Sequence, residues 1–317
     1  MRHRICPTLH FRAPALLFML VLLTACGHRH ITVYPPPAND SNATHCSAFF
    51  NDNATGLSAA ELAVLEDESR VRDEQTIELM LKRAELDMAA ASNSEDTCRQ
   101  MIEQGEARFI RLLEQQQDEL ASRGNFSPSS DLEIRAVQGK ITDLWRADQS
   151  ARTTLINLPA SDAKDAGYWA NRLATAHAIR TDSRSVDYLE TLLDNYDWID
   201  QLRFGHEVSA HAWILAQHAD DHVDLQAKVL ARMEPYLEHG SIRPANYAYL
   251  WDRVAVNSDR PQRYGTQPIW ECNNGQLELA PIEDLARADD LRKALGMNTV
   301  ADQLAEMSRN VCSAGNR

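Results

Sequence analysis

The stretch with the most chemical potential in this 317-residue sequence is HAWILAQHADDHVDLQ, residues 211–226, which holds three histidines and three aspartates. If residues 206–238 formed one unbroken helix, the four-residue spacing would place His218 and His222 on one face, where both could bind a divalent ion. Two histidines alone make an incomplete site, and Asp220 or Asp252 would have to complete it. We expect no metal and no cofactor, and His218 and His222 are only weak candidates for ligands.

A second interpretation divides the stretch into two helices. Asp220 and Asp221 are a natural N-cap pair, so a corner at this point would separate His218 from His222 and leave His222 an ordinary exposed residue. His218 would then lie near the end of one helix, and Gln226 would lie in the first turns of the next. Such a corner can present its polar groups to a pocket, or its groups can satisfy each other. Both alternatives stay open.

Two later motifs, Asp252-Arg253 and YGTQ at residues 264–267, add further hydrogen-bonding groups. Arg253 could bind a carboxylate or phosphate through two hydrogen bonds, or it could pair with Asp148 or Asp252 and join two helices. If the chain is an enzyme, the simplest assignment is His218 as general base with Asp220 or Asp252 orienting it, and hydrolysis as the reaction. The sequence contains no G-x-S-x-G, P-loop or dinucleotide-binding motif.

The elements that would position these residues are mainly helices. Ser58 and Glu61 have the spacing of a capping box and open a predicted helix that runs to about residue 91. A second helix is predicted at about 96–122. Because the break between them is short, we expect an antiparallel helical hairpin over residues 58–123, a coiled-coil-like arm that acts as a spacer or binds a partner.

After a Gly-, Pro- and Ser-containing boundary at residues 123–131, the second half is predicted to be a helical domain over residues 130–317. A capping box at Ser130 and Glu133 opens it. Asn273-Asn274-Gly275 lies between two extended runs and predicts a small β-hairpin over residues 263–282. Further helices are predicted at about 162–180, 184–195, 206–219, 223–238 and 244–253, with two more after the hairpin. The predicted fold class is therefore mainly α, a long helical hairpin followed by a helical domain with one β-hairpin.

The N-terminus predicts export and lipidation. Residues 1–25 combine basic residues with an apolar run too short to span a membrane, as signal peptides do. LTAC, ending at Cys26, resembles the bacterial lipobox, which implies that Cys26 carries lipid and anchors the chain in a membrane. Gly27 follows Cys26, which by resemblance to lipoprotein sorting favours the periplasmic face of the outer membrane. Residues 26–57 contain three consecutive prolines and predict a flexible tether.

Charge and cysteines limit the partners and the compartment. The formal net charge of −14 argues against a nucleic-acid partner, which would need basic residues to neutralise phosphates. Four cysteines would remain in the mature body: Cys46, Cys98, Cys272 and Cys312. In an oxidising compartment they predict two disulfides, and of the three pairings we favour Cys46–Cys98 with Cys272–Cys312.

Four segments carry a resemblance to a known family. They are DQSAR (148–152), QHADDHVDLQ (217–226), YLWDRV (249–254) and RPQRYGTQ (260–267). In this order they are similar to a bacterial domain of unknown function whose members show a Q-H-A-D, then D-R, then Y-G-T-Q pattern. The resemblance covers about residues 135–300 and brings no established activity. It implies that the matching positions cluster: Asp148, Gln149, Arg152, Gln217, His218, Asp220, Gln226, Asp252, Arg253, Tyr264, Thr266 and Gln267.

Taken together, these features predict a lipid-anchored periplasmic protein that binds a protein or small-molecule partner. The alternative is a periplasmic hydrolase, possibly metal-assisted, that uses a polar site of His, Asp and Arg side chains.

Overall fold

The computed structural model of the chain describes residues 57–65, 73–160 and 162–312, which form helices and one antiparallel β-hairpin. The predicted signal peptide, Cys26, the tether through residue 56, and Cys46 lie outside the described residues. Among the described helices, none has both the length and the apolar character that crossing a membrane requires. The elements are α1 Ala59–Leu65, α2 Glu74–Ala91, α3 Glu95–Ala121, α4 Leu132–Ile156, α5 Ala166–Asn195, α6 Gln201–Phe204, α7 His206–His218, α8 Val223–Glu238, α9 Pro244–Asn257, β1 Pro268–Asn273, β2 Gln276–Leu279, α10 Leu285–Ala294 and α11 Val300–Cys312.

Local capping explains where the first helices begin. The Ser58–Glu61 capping box forms as predicted, because each side chain accepts the backbone N–H of the other residue. Asp73 caps α2 by accepting the N–H of Thr76 at 2.8 Å. Ser94 caps α3 in the same way. The helix predicted from Ser58 to about residue 91 corresponds to two described helices, α1 and α2, while α3 has the predicted bounds to within a residue.

The two helices of this hairpin do not stand apart from the rest of the chain as a free arm. Both pack along α5 over a continuous series of apolar contacts. Gly105 of α3 marks the closest approach, since a Cβ built there would lie 2.6 Å from the carbonyl oxygen of Ala166. The buried contacts of α2 and α3 with α5 and the segment before it are formed by Ile77, Met80, Ala84, Met88, Ala89, Cys98, Ile102, Phe109, Leu113, Leu158, Tyr168, Trp169, Ala170, Ala174 and Ala176.

The largest core lies among α4 to α9, where apolar residues of all six helices and the loops between them form one buried cluster. Two details of the prediction for this half are wrong. Asp131, rather than Ser130, caps α4, accepting the N–H groups of Glu133 and Ile134. The two helices predicted over residues 162–195 are one helix, α5, because Thr181 and Ser185 donate their hydroxyls to carbonyls four residues back instead of ending the helix.

The predicted β-hairpin is confirmed near the C-terminus. Asn274 and Gly275 both have positive φ angles, 51° and 77°, as a two-residue hairpin turn requires. A disulfide joins Cys272 of β1 to Cys312 of α11, which confirms that predicted pairing. Cys98 is fully buried at the start of α3, and its predicted partner Cys46 lies outside the described residues, so that pairing stays a prediction.

Candidate functional site

The histidine-rich stretch is a corner, not one helix. α7 ends at His218, and α8 begins at Val223 with the exposed His222 as its N-cap residue. The helical spacing that would have let His218 and His222 share a metal is therefore absent. Within the described residues, no group of three or more His, Cys, Asp or Glu side chains could hold a metal ion. Of the two interpretations of this stretch, the structure therefore has the corner and not the single helix.

A buried carboxylate on α4 orients His218. The Asp148 side chain is 1% exposed, and both of its oxygens lie 2.9 Å from Nδ1 of His218. Nε of Arg152 lies 2.8 Å from Nδ1 as well as 2.8 Å from Oδ1 of Asp148. Nδ1 therefore faces one donor, the Nε–H of Arg152, and two acceptors, the oxygens of Asp148. We place a proton on Nδ1, because a bare Nδ1 would face both oxygens of the buried carboxylate, and we direct the Nε–H of Arg152 to Oδ1 of Asp148. Nδ1 and Nε then both donate to Asp148.

The other ring nitrogen of His218, Nε2, has no such partner among the described residues. Among the residues that the structure describes, Nε2 makes no hydrogen bond, and the side chain is 26% exposed. A histidine with one nitrogen held by a buried carboxylate and the other open can accept or donate a proton at the open nitrogen. This Asp–His arrangement replaces the prediction that Asp220 or Asp252 orients His218.

Arg152 links this pair to a second carboxyl group on α5. Its NH2 nitrogen lies 2.8 Å from Oδ1 of Asp182 and 3.5 Å from the backbone oxygen of His218. The guanidinium therefore bridges Asp148, Asp182 and the end of α7. Asp182 is not among the residues predicted from the sequence.

Burial and charge act differently on the two carboxyl groups. Burial tends to raise the pKa of Asp148, but the charges and hydrogen bonds of His218 and Arg152 outweigh it, so its pKa is lowered and it stays ionised. Burial raises the pKa of Asp182 to about 7, because Arg152 only partly offsets it and the charges of Asp148 and Asp220 add to it. The same neighbouring carboxylates raise the pKa of Arg152 against the effect of burial.

The corner itself is held by a second network. Arg253 of α9 binds Asp220 through two hydrogen bonds of 2.6 and 2.7 Å. The buried amide of Gln226 donates to the carbonyl oxygens of Ala216 and Gln217 at the end of α7, each at 3.2 Å. These contacts lower the pKa of Asp220, because Arg253 and its hydrogen bonds outweigh the effect of burial. The groups of this corner largely satisfy each other.

Asp252 has a structural role, separate from His218. It is fully buried, and its two oxygens accept the backbone N–H groups of Arg263, Tyr264 and Thr266 at 2.8 to 2.9 Å. Burial raises the pKa of Asp252 against these three hydrogen bonds. The prediction that Asp252 orients His218 or completes a metal site is therefore wrong. Its carboxylate instead shapes the loop that carries the YGTQ motif.

The YGTQ loop contacts the corner through one side chain. Oε1 of Gln267 accepts NH1 of Arg253 at 3.0 Å, and its amide nitrogen donates to Oγ1 of Thr266 at 3.0 Å. The Tyr264 ring packs edge-on against Trp251, and its backbone oxygen accepts NH1 of the buried Arg292. Tyr264 and Thr266 thus support the loop, while Gln267 joins it to Arg253.

The structure separates the predicted polar residues into two connected groups and one structural anchor. The first group contains Asp148, Arg152 and His218, with Gln149 donating to Asp148 at 2.8 Å. The corner group contains Asp220, Gln226, Arg253 and Gln267. Sequence reasoning missed Asp182 and Asn257, which donates to both Asp220 and Gln226. No motif distinguishes either residue from the other polar residues of its helix.

Comparison with known proteins gives a family without a function. A model described as "Family of unknown function (DUF6624)" matches residues 137–310, more than half of the chain. This range includes α4 from its second turn and nearly all of the elements that follow, and therefore both polar groups. No curated protein and no solved structure matches the chain. The chain belongs to the DUF6624 family.

Proposed function

We propose that this protein is a periplasmic hydrolase, anchored to the outer membrane through lipid on Cys26, in which His218 is the general base. The observation that carries the proposal is the open Nε2 of His218 opposite an Nδ1 held by the buried Asp148.

The arrangement has the parts that water activation needs. Nε2 of His218 would take a proton from a water molecule as that water attacks the substrate. Asp148 would stabilise the imidazolium that forms and hold the ring in one orientation. Arg152 donates to the same carboxylate and fixes its position. In side chains with this geometry, general base catalysis contributes about 10²- to 10⁴-fold in rate.

The test compares His218→Gln with His222→Gln in the full-length chain purified in detergent. The probes are p-nitrophenyl acetate, bis-p-nitrophenyl phosphate and p-nitrophenyl N-acetylglucosaminide, which represent three classes of hydrolysable bond. We expect turnover of at least one probe, a loss of about 100-fold or more in His218→Gln, and little change in His222→Gln. His222 is the matched control because it is exposed at the same corner and lies outside the Asp148 pair. Equal rates for wild type and His218→Gln on all three probes would refute the proposal.

A second candidate, a ligand- or partner-binding module without catalysis, is favoured by the corner group. Asp220 and Arg253 are fully committed to each other and to Gln226, Asn257 and Gln267, as expected of a structural network. On this hypothesis His218 contributes a hydrogen bond to a bound partner instead of moving a proton. This candidate would be favoured if the wild-type chain binds a component of a periplasmic extract but turns over none of the three probes.

A further inference from the structure

We propose that Asp182 is a second catalytic residue of this site and donates a proton to the leaving group while His218 removes one from water. This inference rests on the proposed hydrolase function and adds a residue to it. Two observations support it. Asp182 is hydrogen-bonded to the Arg152 guanidinium, and its Oδ2 makes no hydrogen bond within the described part of the chain.

The three carboxyl groups of the region differ in how many of their oxygens are occupied. Both oxygens of Asp148 accept hydrogen bonds from side chains around it, and both oxygens of Asp220 accept from Arg253. Asp182 has one hydrogen bond, from NH2 of Arg152 to Oδ1. Within the described part of the chain its Oδ2 has no hydrogen-bond partner, and the side chain is 33% exposed. Asp182 is therefore the carboxyl group that can still reach a substrate.

Asp182 also lies close to His218. The same NH2 nitrogen of Arg152 contacts Oδ1 of Asp182 at 2.8 Å and the backbone oxygen of His218 at 3.5 Å. By these two distances Oδ1 of Asp182 and the backbone oxygen of His218 are at most 6.3 Å apart. Both side chains are partly exposed. Arg152 joins the two side chains, because its Nε lies 2.8 Å from Nδ1 of His218 while its NH2 lies 2.8 Å from Oδ1 of Asp182. A substrate held at Arg152 would therefore lie beside both.

The charges around Asp182 suit an acid that titrates near neutral pH. Burial raises its pKa to about 7, and the anionic Asp148 and Asp220 add to that effect, while Arg152 opposes it. His218 faces it across Arg152. Asp148 has a lowered pKa, so the two carboxyl groups on one guanidinium differ in pKa. Neighbouring groups with separated pKa values are the usual arrangement for acid and base roles.

The proposed step balances without any other reactant. Nε2 of His218 takes one proton from water, the resulting hydroxide forms a bond to the electrophilic atom of the substrate, and the bond to the leaving group breaks. That leaving group takes the proton of Asp182 with the electron pair of the broken bond. The imidazolium of His218 and the carboxylate of Asp182 then exchange a proton through solvent, which restores both groups.

The experiment uses Asp182→Asn, with Asp187→Asn on the exposed face of the same helix as the matched control. Each variant of the full-length chain is assayed on the three p-nitrophenyl probes and on the same compounds with phenyl in place of p-nitrophenyl. p-Nitrophenolate leaves without help from an acid, whereas phenolate needs a proton. We expect Asp182→Asn to lose at least about tenfold more activity on the phenyl probe than on its p-nitrophenyl counterpart. Asp187→Asn should match wild type on both.

The outcomes separate this inference from the proposed function. If His218→Gln abolishes turnover but Asp182→Asn loses the same factor on both leaving groups, or nothing, the acid role of Asp182 is overturned and the hydrolase stands. If wild type turns over none of the probes, both fail. A readout independent of turnover is ¹³C NMR of aspartate carboxyl carbons, in which a resonance titrating near pH 7 should be present in wild type and absent in Asp182→Asn. Its presence in both would also count against the proposal.

Discussion

Removing the disulfide between Cys272 and Cys312 should destabilise the C-terminal part of the domain by several kcal/mol. The change is the double variant Cys272→Ser, Cys312→Ser, which leaves no unpaired cysteine of this pair to exchange with others. The bond joins β1 to the last residue of α11 across 40 residues of chain. A two-stranded hairpin is marginally stable by itself, so this cross-link is expected to matter.

The magnitude follows from the length of the closed loop. In the chain-entropy model, a loop of about 40 residues gives roughly 4 kcal/mol of stabilisation at 25 °C through its effect on the unfolded chain. The folded hairpin keeps other contacts with α11, because Leu277 is buried and its N–H donates to Oγ of Ser308 at 2.9 Å. The variant should therefore fold, with roughly this loss of free energy of unfolding.

Urea unfolding followed by circular dichroism measures the effect. With a slope of about 3 kcal/mol per molar urea, the midpoint should fall by just over 1 M, and the slope should rise because the unfolded chain becomes less compact. Adding reductant to wild type should lower the midpoint by at least this shift, because it also reduces the predicted Cys46–Cys98 disulfide. In the double variant, reductant should have only the effect of that second disulfide. A loss below about 1 kcal/mol would refute the reasoning and would mean that the unfolded chain is already restricted in this region.

Two further predictions concern packing and acid stability. Gly105→Ala should destabilise the fold by about 1–3 kcal/mol, because its Cβ would meet the backbone oxygen of Ala166. The control is Gly139→Ala, where no atom lies within 4 Å of the added Cβ, and it should be neutral or stabilising by up to about 1 kcal/mol. Thermal unfolding compares the two variants, and equal effects would contradict the close approach at Gly105. Burial lowers the pKa of His211 to about 4 in the folded chain, below the ordinary value of 6.5. Between these two pH values His211 is protonated in the unfolded chain but not in the folded chain, so the free energy of unfolding falls as the pH falls from 6.5 towards 4. His211→Phe should lose about 2 kcal/mol less free energy of unfolding than the control His222→Gln when the pH is lowered from 7 to 5. Urea unfolding at the two pH values measures this difference, and an unchanged pH dependence would count against a neutral buried His211.

Local signals in the sequence determined much of the secondary structure. The Ser58–Glu61 capping box and the Asn274-Gly275 turn each depend on neighbouring residues alone, and each is present in the structure. The sequence left open whether the chain turns after His218, and in the structure Arg253 from a distant helix holds that corner. Where local signals competed, the prediction was wrong. The helices predicted at about 162–180 and 184–195 are one helix in the structure, in which Thr181 and Ser185 donate their hydroxyls to carbonyls of the preceding turn.

The roles of the polar residues depended on tertiary structure. His218 meets Asp148 across 70 positions in the chain, and only the packing of α4 against α7 decides that Asp148, and not the neighbouring Asp220, holds its ring. Asp252 belongs to the same set of motifs, yet its carboxylate accepts hydrogen bonds from three backbone N–H groups of a loop and does not contact His218. The sequence by itself determined which side chains could form hydrogen bonds. The tertiary structure decided which of these side chains keep an atom without a hydrogen-bond partner. Its packing brings together donors and acceptors that lie far apart in the chain, and a buried acceptor bonds to the donor nearest to it in space.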